Sequence, residues 1–259
     1  MKSKIVAIIQ ARMGSTRLPG KVLKEVQGVP LLGIMMSRVE RSEMLNEIVI
    51  ATSSLPMDDQ IEEFCQENGY ECFRGSENDV LSRYFHCATK YHVDIIVRLT
   101  ADCPLIDPIV IDDVVKIYVE NDYDYVANTA PPEGLTYPEG MDVEIFSFQL
   151  LERAAREAQK PSEREHVTHY FWKNSKSFST YRLDLDNDFS VYRLTVDYPE
   201  DLEVIKEIVH VLYQREPLFS MYDMIKFLDA NPSIKEKNSC FRLNAGWQSS
   251  YNKDKQAGL

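Results

Sequence analysis

Ile5-Val6-Ala7-Ile8-Ile9 is five consecutive apolar residues, four of them β-branched, and the run stops at Gln10. A continuous apolar run of this length reads as a strand buried on both faces, the kind found in a parallel sheet with helices on either side. The change of composition at its end is abrupt. Gln10 to Lys21 packs three cations (Arg12, Arg17, Lys21), two hydroxyls (Ser15, Thr16) and two glycines (Gly14, Gly20) into twelve residues. The carboxyl end of a buried strand is where open α/β sheets bind ligands. Glycines let backbone N–H groups approach an anion, and Arg and Lys add charge-assisted hydrogen bonds, so a polyphosphate is the natural guest. A solvated basic turn is the alternative. The loop is not a Walker motif, because one residue too many separates Gly14 from Gly20 and Val22 stands where Ser or Thr would come after the lysine. It also lacks the G-x-G-x-x-G of a dinucleotide fingerprint.

The same alternation continues downstream. Glu47 to Ser53 and Asp94 to Thr100 are further buried-strand runs, with shorter strands at Tyr70 to Arg74 and Tyr123 to Asn128. Between them, helical patterns run over Val29 to Val39, Met57 to Gly69, Asp79 to Tyr91 and Ile109 to Asn121. Strand and helix in strict alternation predict an α/β fold with a doubly wound, mainly parallel sheet. Thr129 to Met141, with three prolines and two glycines, breaks the pattern and opens an excursion that extends to about Leu185 within one domain. In and beyond it a strand is expected over Asp142 to Ser147, and helices over Phe148 to Lys160 and over Ser162 to Lys173, the latter with the capping pattern Ser162-x-x-Glu165. Strands are expected over Ser177 to Leu185 and Val191 to Val196, then a helix from Pro199 to Arg215 and a frayed tail from Ser249 to Leu259.

The chain of 259 residues carries 29 basic against 41 acidic residues, a net charge of −12, which argues against a nucleic-acid partner. Against that acidic background the basic loop reads as a local anion site. Five scattered cysteines without C-x-x-C spacing suggest neither a disulfide framework nor a zinc site. The absence of a signal-peptide pattern and of a membrane-length apolar run predicts a cytoplasmic protein that does not engage a membrane.

Three further stretches carry chemistry. Arg98 to Asp107 is a strand ending in Asp102 and a Pro-stiffened turn, which brings Asp102 to the same sheet edge as Lys21. A carboxylate facing a triphosphate loop suits Mg²⁺, held by one or two carboxylates together with substrate phosphates; capping of the turn is the other reading. Asp197 likewise comes after a β-branched run and precedes a helix, where it can cap the helix amides. Asp201 is expected to be a solvated or N-terminal-dipole residue. Asp142 and Glu144 alternate onto one strand face and can accept hydrogen bonds from sugar hydroxyls. His166 and His169 have a metal-compatible spacing but no third ligand nearby.

The segment Ala11-Arg12-x-x-Ser15-x-Arg17-Leu18-Pro19-Gly20-Lys21 resembles the opening signature of the cytidylyltransferases that make CMP-activated sugars. The fuller form, Ile-Ile-Gln-Ala-Arg-Met-Gly-Ser-Thr-Arg-Leu-Pro-Gly-Lys, is most similar to the branch named after the spore-coat polysaccharide protein SpsF. Ala101-Asp102-Cys103-Pro104-Leu105-Ile106 resembles a second family element, with Ala101 in place of its glycine, and Val196-Asp197-Tyr198-Pro199-Glu200-Asp201-Leu202 a third, with Tyr198 in place of its threonine. Further likenesses lie at Arg74 to Tyr84, Glu139 to Glu144 and Glu165 to Thr168, whereas His169 departs from the branch's proline.

The resemblance implies a Rossmann-like nucleotide-diphospho-sugar transferase fold and a Mg²⁺-dependent transfer of CMP from CTP to a sugar acid or related acceptor, with release of pyrophosphate. Arg12, Ser15, Arg17 and Lys21 would bind the triphosphate, with Gly14 in the same loop, while the backbone near Ala11 and around Gly75 and Asp79 would border the nucleoside. Asp102 and Asp197 would hold the metal. Arg83 would reach the acceptor or a phosphate, unless it is a surface cation beside an N-cap at Asp79, and Arg98, Asp142, Glu144 and His166 would line the acceptor pocket. A homodimer is implied through residues 129–185, and the aromatic content there, from Tyr137 through Phe146, Phe148, Tyr170, Phe171 and Trp172, points the same way as surface to be hidden. The phosphate loop leaves the base open, so UTP, dTTP or GTP are alternatives, as is a nucleotide-sugar binding protein without turnover.

Overall fold

In a computed structural model, residues 3–213, 216, 218–241 and 254 are described. Nine strands are found among them: β1 (Ile5–Gln10), the small antiparallel pair β2 (Glu25–Val26) and β3 (Val29–Pro30), β4 (Glu47–Ser53), β5 (Glu71–Gly75), β6 (Ile95–Thr100), β7 (Tyr125–Ala127), β8 (Glu144–Ser147) and β9 (Thr180–Arg182). Seven of them form one sheet in the order β5-β4-β1-β6-β8-β7-β9. Every neighbouring pair is parallel except those made by β8, which is antiparallel to both β6 and β7. The expected doubly wound, mainly parallel α/β sheet is therefore present, with one reversed strand inserted beyond β6. Gln10 stands level with Ala51 on one side and Thr100 on the other, so the chain leaves three adjacent strands along one edge.

The uninterrupted apolar run of β1 is explained by two cores. Ile5, Ala7 and Ile9 face one, with α1 (Leu31–Val39), α2 (Asp59–Asn68), α4 (Pro108–Glu120), α8 (Pro199–Leu212) and α9 (Met221–Ala230); the short α10 (Pro232–Lys235) lies beside α8 and α9. Val6 and Ile8 face the other, with α3 (Val80–Lys90) and α5 (Phe148–Glu157). Ile8 and Ile9 are both fully buried. Truncating either to alanine is expected to cost about 2–5 kcal/mol, which is how firmly the loop after Gln10 is anchored.

Several expectations change in the structure. The helix expected from Ser162 to Lys173 breaks at Val167, whose φ is +58°, into α6 (Pro161–His166) and α7 (His169–Lys173). Its first turn is capped by Glu163, which accepts the Lys160 amide at 3.3 Å, rather than by the Ser162/Glu165 pair. Ser162 is bound instead to Asp254, through its amide at 2.8 Å and its hydroxyl at 2.5 Å. Strand β8 begins at Glu144 rather than Asp142, and only Thr180–Arg182 of the expected 177–185 strand pairs with the sheet. Residues 191–196 form no sheet strand: they alternate as predicted, with Leu194 and Val196 buried, but bridge a loop at Glu139–Arg193. Apart from Asp254, the tail expected to fray lies outside the described residues, as does Arg215.

The aromatic argument for an interface is also corrected. Tyr137, Phe146 and Phe171 are at most 3% exposed, and Phe148, Tyr170 and Trp172 pack partly buried against the second core. These rings are hidden by the chain's own fold, because the excursion wraps onto α3 and α5 instead of standing off as a flap. Among the described residues no helix is long and apolar enough to cross a membrane.

Candidate active site

The loop after β1 is held by its own backbone and by a buried acid. The Ser15 and Gly20 amides donate to the Met13 carbonyl at 2.8 and 3.0 Å, the Leu18 amide donates to Ser15 Oγ at 3.2 Å, and the Met13 amide donates to Asp58 Oδ1 at 2.7 Å. Asp58 is fully buried and receives the Ser53 hydroxyl. Gly20 has φ +67°, the left-handed conformation glycine adopts without strain, and it starts the single 3₁₀ turn that carries Lys21. Among the described residues the amides of Gly14, Thr16 and Arg17 find no protein acceptor. Amides left over in a loop of this shape are what an anion takes up.

Lys21 connects the loop to both carboxylates singled out in the sequence. Its Nζ lies 3.2 Å from Asp102 Oδ2, 2.7 Å from Asp197 Oδ1 and 2.7 Å from the Val196 carbonyl. Burial alone would lower the lysine's pKa, but the two carboxylates outweigh it and hold the ammonium above its ordinary value. Burial likewise opposes charge on Asp102, yet Lys21 and the Thr100 hydroxyl bring its carboxyl down to about 2. Arg17 reaches Asp197 Oδ2 at 2.6 Å and lies over the Tyr198 ring at 5.0 Å. Asp197 does not cap α8.

That capping is done by Asp201, which is fully buried rather than solvated, correcting the sequence expectation. Its Oδ2 accepts the amides of Asp197 and Tyr198, each at 2.9 Å, and its carboxylate takes Arg193 Nε at 2.8 Å and Nη2 at 3.0 Å. Arg193 also pairs with Glu139, and Tyr198 stacks on Phe241 with ring centroids 3.9 Å apart. The Val196 amide and the Thr195 hydroxyl donate to the Asp102 carbonyl at 2.7 and 3.0 Å, which ties this segment to the end of β6. Asp201 at the third position of a Pro-initiated helix is a capping signal the sequence contained. The parts played by Arg193 and Glu139 were not visible there.

On the β6–β8 side, Arg98 is buried against Glu144 and donates to Gln10 Oε1 at 3.1 Å, while Tyr125 donates its hydroxyl to Glu144 at 2.5 Å. Both oxygens of Glu144 are thus engaged. Asp142 receives Cys103 Sγ at 3.4 Å, and burial pushes its carboxyl up to about 6. His166 stacks on His169 with centroids 4.4 Å apart. On the β4–β5 side, Arg12 pairs with Glu77 at 2.9 Å, and Asp79 caps α3 through the Ser82 amide at 2.9 Å while binding Arg164. Arg83 is a buried residue, 2% exposed, rather than a surface cation.

A cleft of about 530 Å³ at the strand ends joins these groups. Ala11, Arg12, Gly14, Ser15, Arg17, Lys21, Arg83, Arg98, Asp102, Asp142, Glu144, His166 and Asp197 all line it; Gly75 and Asp79 do not. Among the described residues no cluster of three or more His, Cys, Asp or Glu is able to hold a metal. Asp102 and Asp197 nevertheless converge on a single positive charge, and two hard carboxylates fit Mg²⁺, whose remaining positions go to water and phosphate oxygens.

A doubly wound sheet with an anion loop and paired carboxylates at its carboxyl edge defines a nucleotide-handling enzyme of the nucleotidyltransferase class. The chain belongs to the cytidylyltransferase family, whose model matches residues 6–227. It is 38% identical to a cytidylyltransferase of solved structure from Leptospira borgpetersenii, over 93% of this chain and 100% of that one, with a TM-score of 0.86. The spore coat polysaccharide biosynthesis protein SpsF of Bacillus subtilis is 36% identical over 88% of this chain and 95% of its own length. An uncharacterized protein of Methanocaldococcus jannaschii is 37% identical, over 92% and 96% respectively. The structure of a CMP-2-keto-3-deoxy-manno-octonic acid synthetase with CTP shares the fold at 17% identity, covering 80% and 99%, with a TM-score of 0.60.

Proposed function

We propose that this cytidylyltransferase-family enzyme transfers CMP from CTP to a sugar acid or related sugar-like acceptor in a Mg²⁺-dependent reaction, as a homodimer in the cytoplasm, in the synthesis of a surface glycan precursor. An acceptor oxygen attacks the α-phosphorus, the bond to the β-phosphate oxygen breaks, and pyrophosphate leaves. The observation that carries this reading is Lys21, buried between Asp102 and Asp197 beside a loop with unused amides. Such transfer depends mainly on positioning and on stabilising developing charge. Arg12, Arg17, Lys21 and the amides of Gly14 and Thr16 hold the β- and γ-phosphates. Asp102 and Asp197 hold the magnesium ion, which when bound neutralises phosphate oxygens. Arg193 and Asp201 keep the Asp197 segment fixed without touching substrate.

On the acceptor side the Arg98–Glu144 pair floors the cleft, and Asp142 and His166 offer hydrogen bonds to hydroxyls. The family and the likeness to SpsF support the glycan assignment. The exposed edge strand β9, with Tyr181 38% exposed, supports a contact between copies through residues 129–185. Pyrophosphate release is to be measured with CTP, UTP, GTP and dTTP against a panel of 2-keto sugar acids and sugar phosphates. Release with CTP and a sugar acid is expected; release only with another nucleotide would overturn the assignment.

A further inference from the structure

Two buried polar groups on the β5–α3 wall of the cleft have no partner within the protein. Arg83 is 2% exposed, and its Nε and Nη1 make no hydrogen bond. Glu77 gives Oε1 to Arg12 at 2.9 Å, but its Oε2 is buried and receives nothing. The two residues line the same cleft, six positions apart in the chain, and do not satisfy each other. The Arg83 stem passes against Gly75, where an added Cβ would stand 3.0 Å from its Cγ, so glycine leaves the arginine room to lie along this wall. Burying a guanidinium without an acceptor is costly, and burial lowers the Arg83 pKa accordingly. A ligand that brings acceptors to the arginine and a donor to the glutamate would remove that cost.

The place narrows the ligand. Lys21, Asp102 and Asp197 lie towards β6, whereas Glu77 and Arg83 flank the β5–α3 turn on the other side of Ala11. A nucleoside triphosphate with its phosphates at Lys21 therefore directs its base to this wall, an inference that rests on the function proposed above. Cytosine presents two acceptors, O2 and N3, beside the exocyclic N4 donor. Uracil presents an N3–H donor and an O4 acceptor in the last two places, opposed to the protein groups at both. We propose that Arg83 and Glu77 are the base-selecting residues of this enzyme, Arg83 donating to O2 and N3 of cytosine and Glu77 Oε2 accepting from its amino group.

The test is calorimetric titration of the full chain with CTP and with UTP in excess Mg²⁺ and without acceptor. The wild type is expected to bind CTP at least about 100-fold more tightly than UTP, as sites built on paired polar groups do. Arg83→Met and Glu77→Gln should each weaken CTP binding at least about tenfold and bring the CTP/UTP ratio towards one. In Glu77→Gln the new amide donor meets uracil O4, so UTP binding should improve outright. Arg83→Met should also raise the melting temperature of the ligand-free protein, since it removes an unsatisfied buried charge. A ratio unchanged in both variants, including a parallel loss of both nucleotides caused by a disturbed Arg12, overturns the proposal while leaving CTP as donor intact. A wild type that binds CTP no better than UTP overturns base selection by these residues. A wild type that binds neither overturns the proposed function as well.

Discussion

The Lys21 ammonium lies 2.7 Å from the Asp197 carboxylate across 176 residues of sequence, and the same nitrogen meets Asp102 from a third segment. One positive charge thus gathers the phosphate loop, the end of β6 and the approach to α8. The three motifs form one site because this ion-pair cluster is shared.

Lys21→Met should abolish most turnover with little effect on the fold, because its three partners lie at the rim of the cleft. Losing a charge that serves the transition state should cost about 2–4 kcal/mol, or about 10²–10³ in kcat. Pyrophosphate release under saturating CTP measures it, and unchanged turnover removes the triphosphate role.

Asp102→Asn and Asp197→Asn should each raise the Mg²⁺ concentration needed for half-maximal rate, and EDTA should stop the wild type. Full activity in EDTA would sink the metal assignment.

Asp201→Ala should destabilise the protein by about 3–5 kcal/mol, since Arg193 is left buried without its main partner. Urea unfolding gives the value. Activity should fall even where the variant remains folded, because the Asp197 and Tyr198 amides lose their anchor.

Asp142 has a carboxyl raised to about 6 from an unfolded value of 3.8, so the folded state favours its protonated form. Its contribution is full below about pH 3.8 and is lost as pH rises through 6, an effect of up to about 3 kcal/mol. Asp142→Asn should therefore flatten the fall in stability between pH 4 and 7 and leave the protein more stable than the wild type at pH 7. Melting temperatures of the ligand-free protein across that range test the sign.

Sedimentation at micromolar concentration should show a dimer, and Tyr181→Asp on the outer edge strand should shift it towards monomer. A monomeric wild type would dismiss the contact.

Local patterns were enough for much of this. Apolar runs such as Ile5 to Ile9 identify buried strands because a strand between two cores must be apolar at odd and even positions alike, and the glycine-rich cationic loop after it announces an anion site through its own composition. Asp102 and Asp197 were legible for the same reason, each standing where a strand-like run gives way to a turn. What the sequence did not determine were relationships set by pairing partners far along the chain. Whether residues 191–196 join the sheet depends on which neighbour they meet, and that neighbour is the loop at Glu139. Burial of Asp201 depends on Arg193 and Asn238 arriving beside it, and the aromatic residues of the excursion are core or surface according to where that segment lands. The isolation of Arg83 and Glu77 Oε2 is likewise a property of the packed wall, because a missing hydrogen-bond partner exists only once every neighbour has been placed.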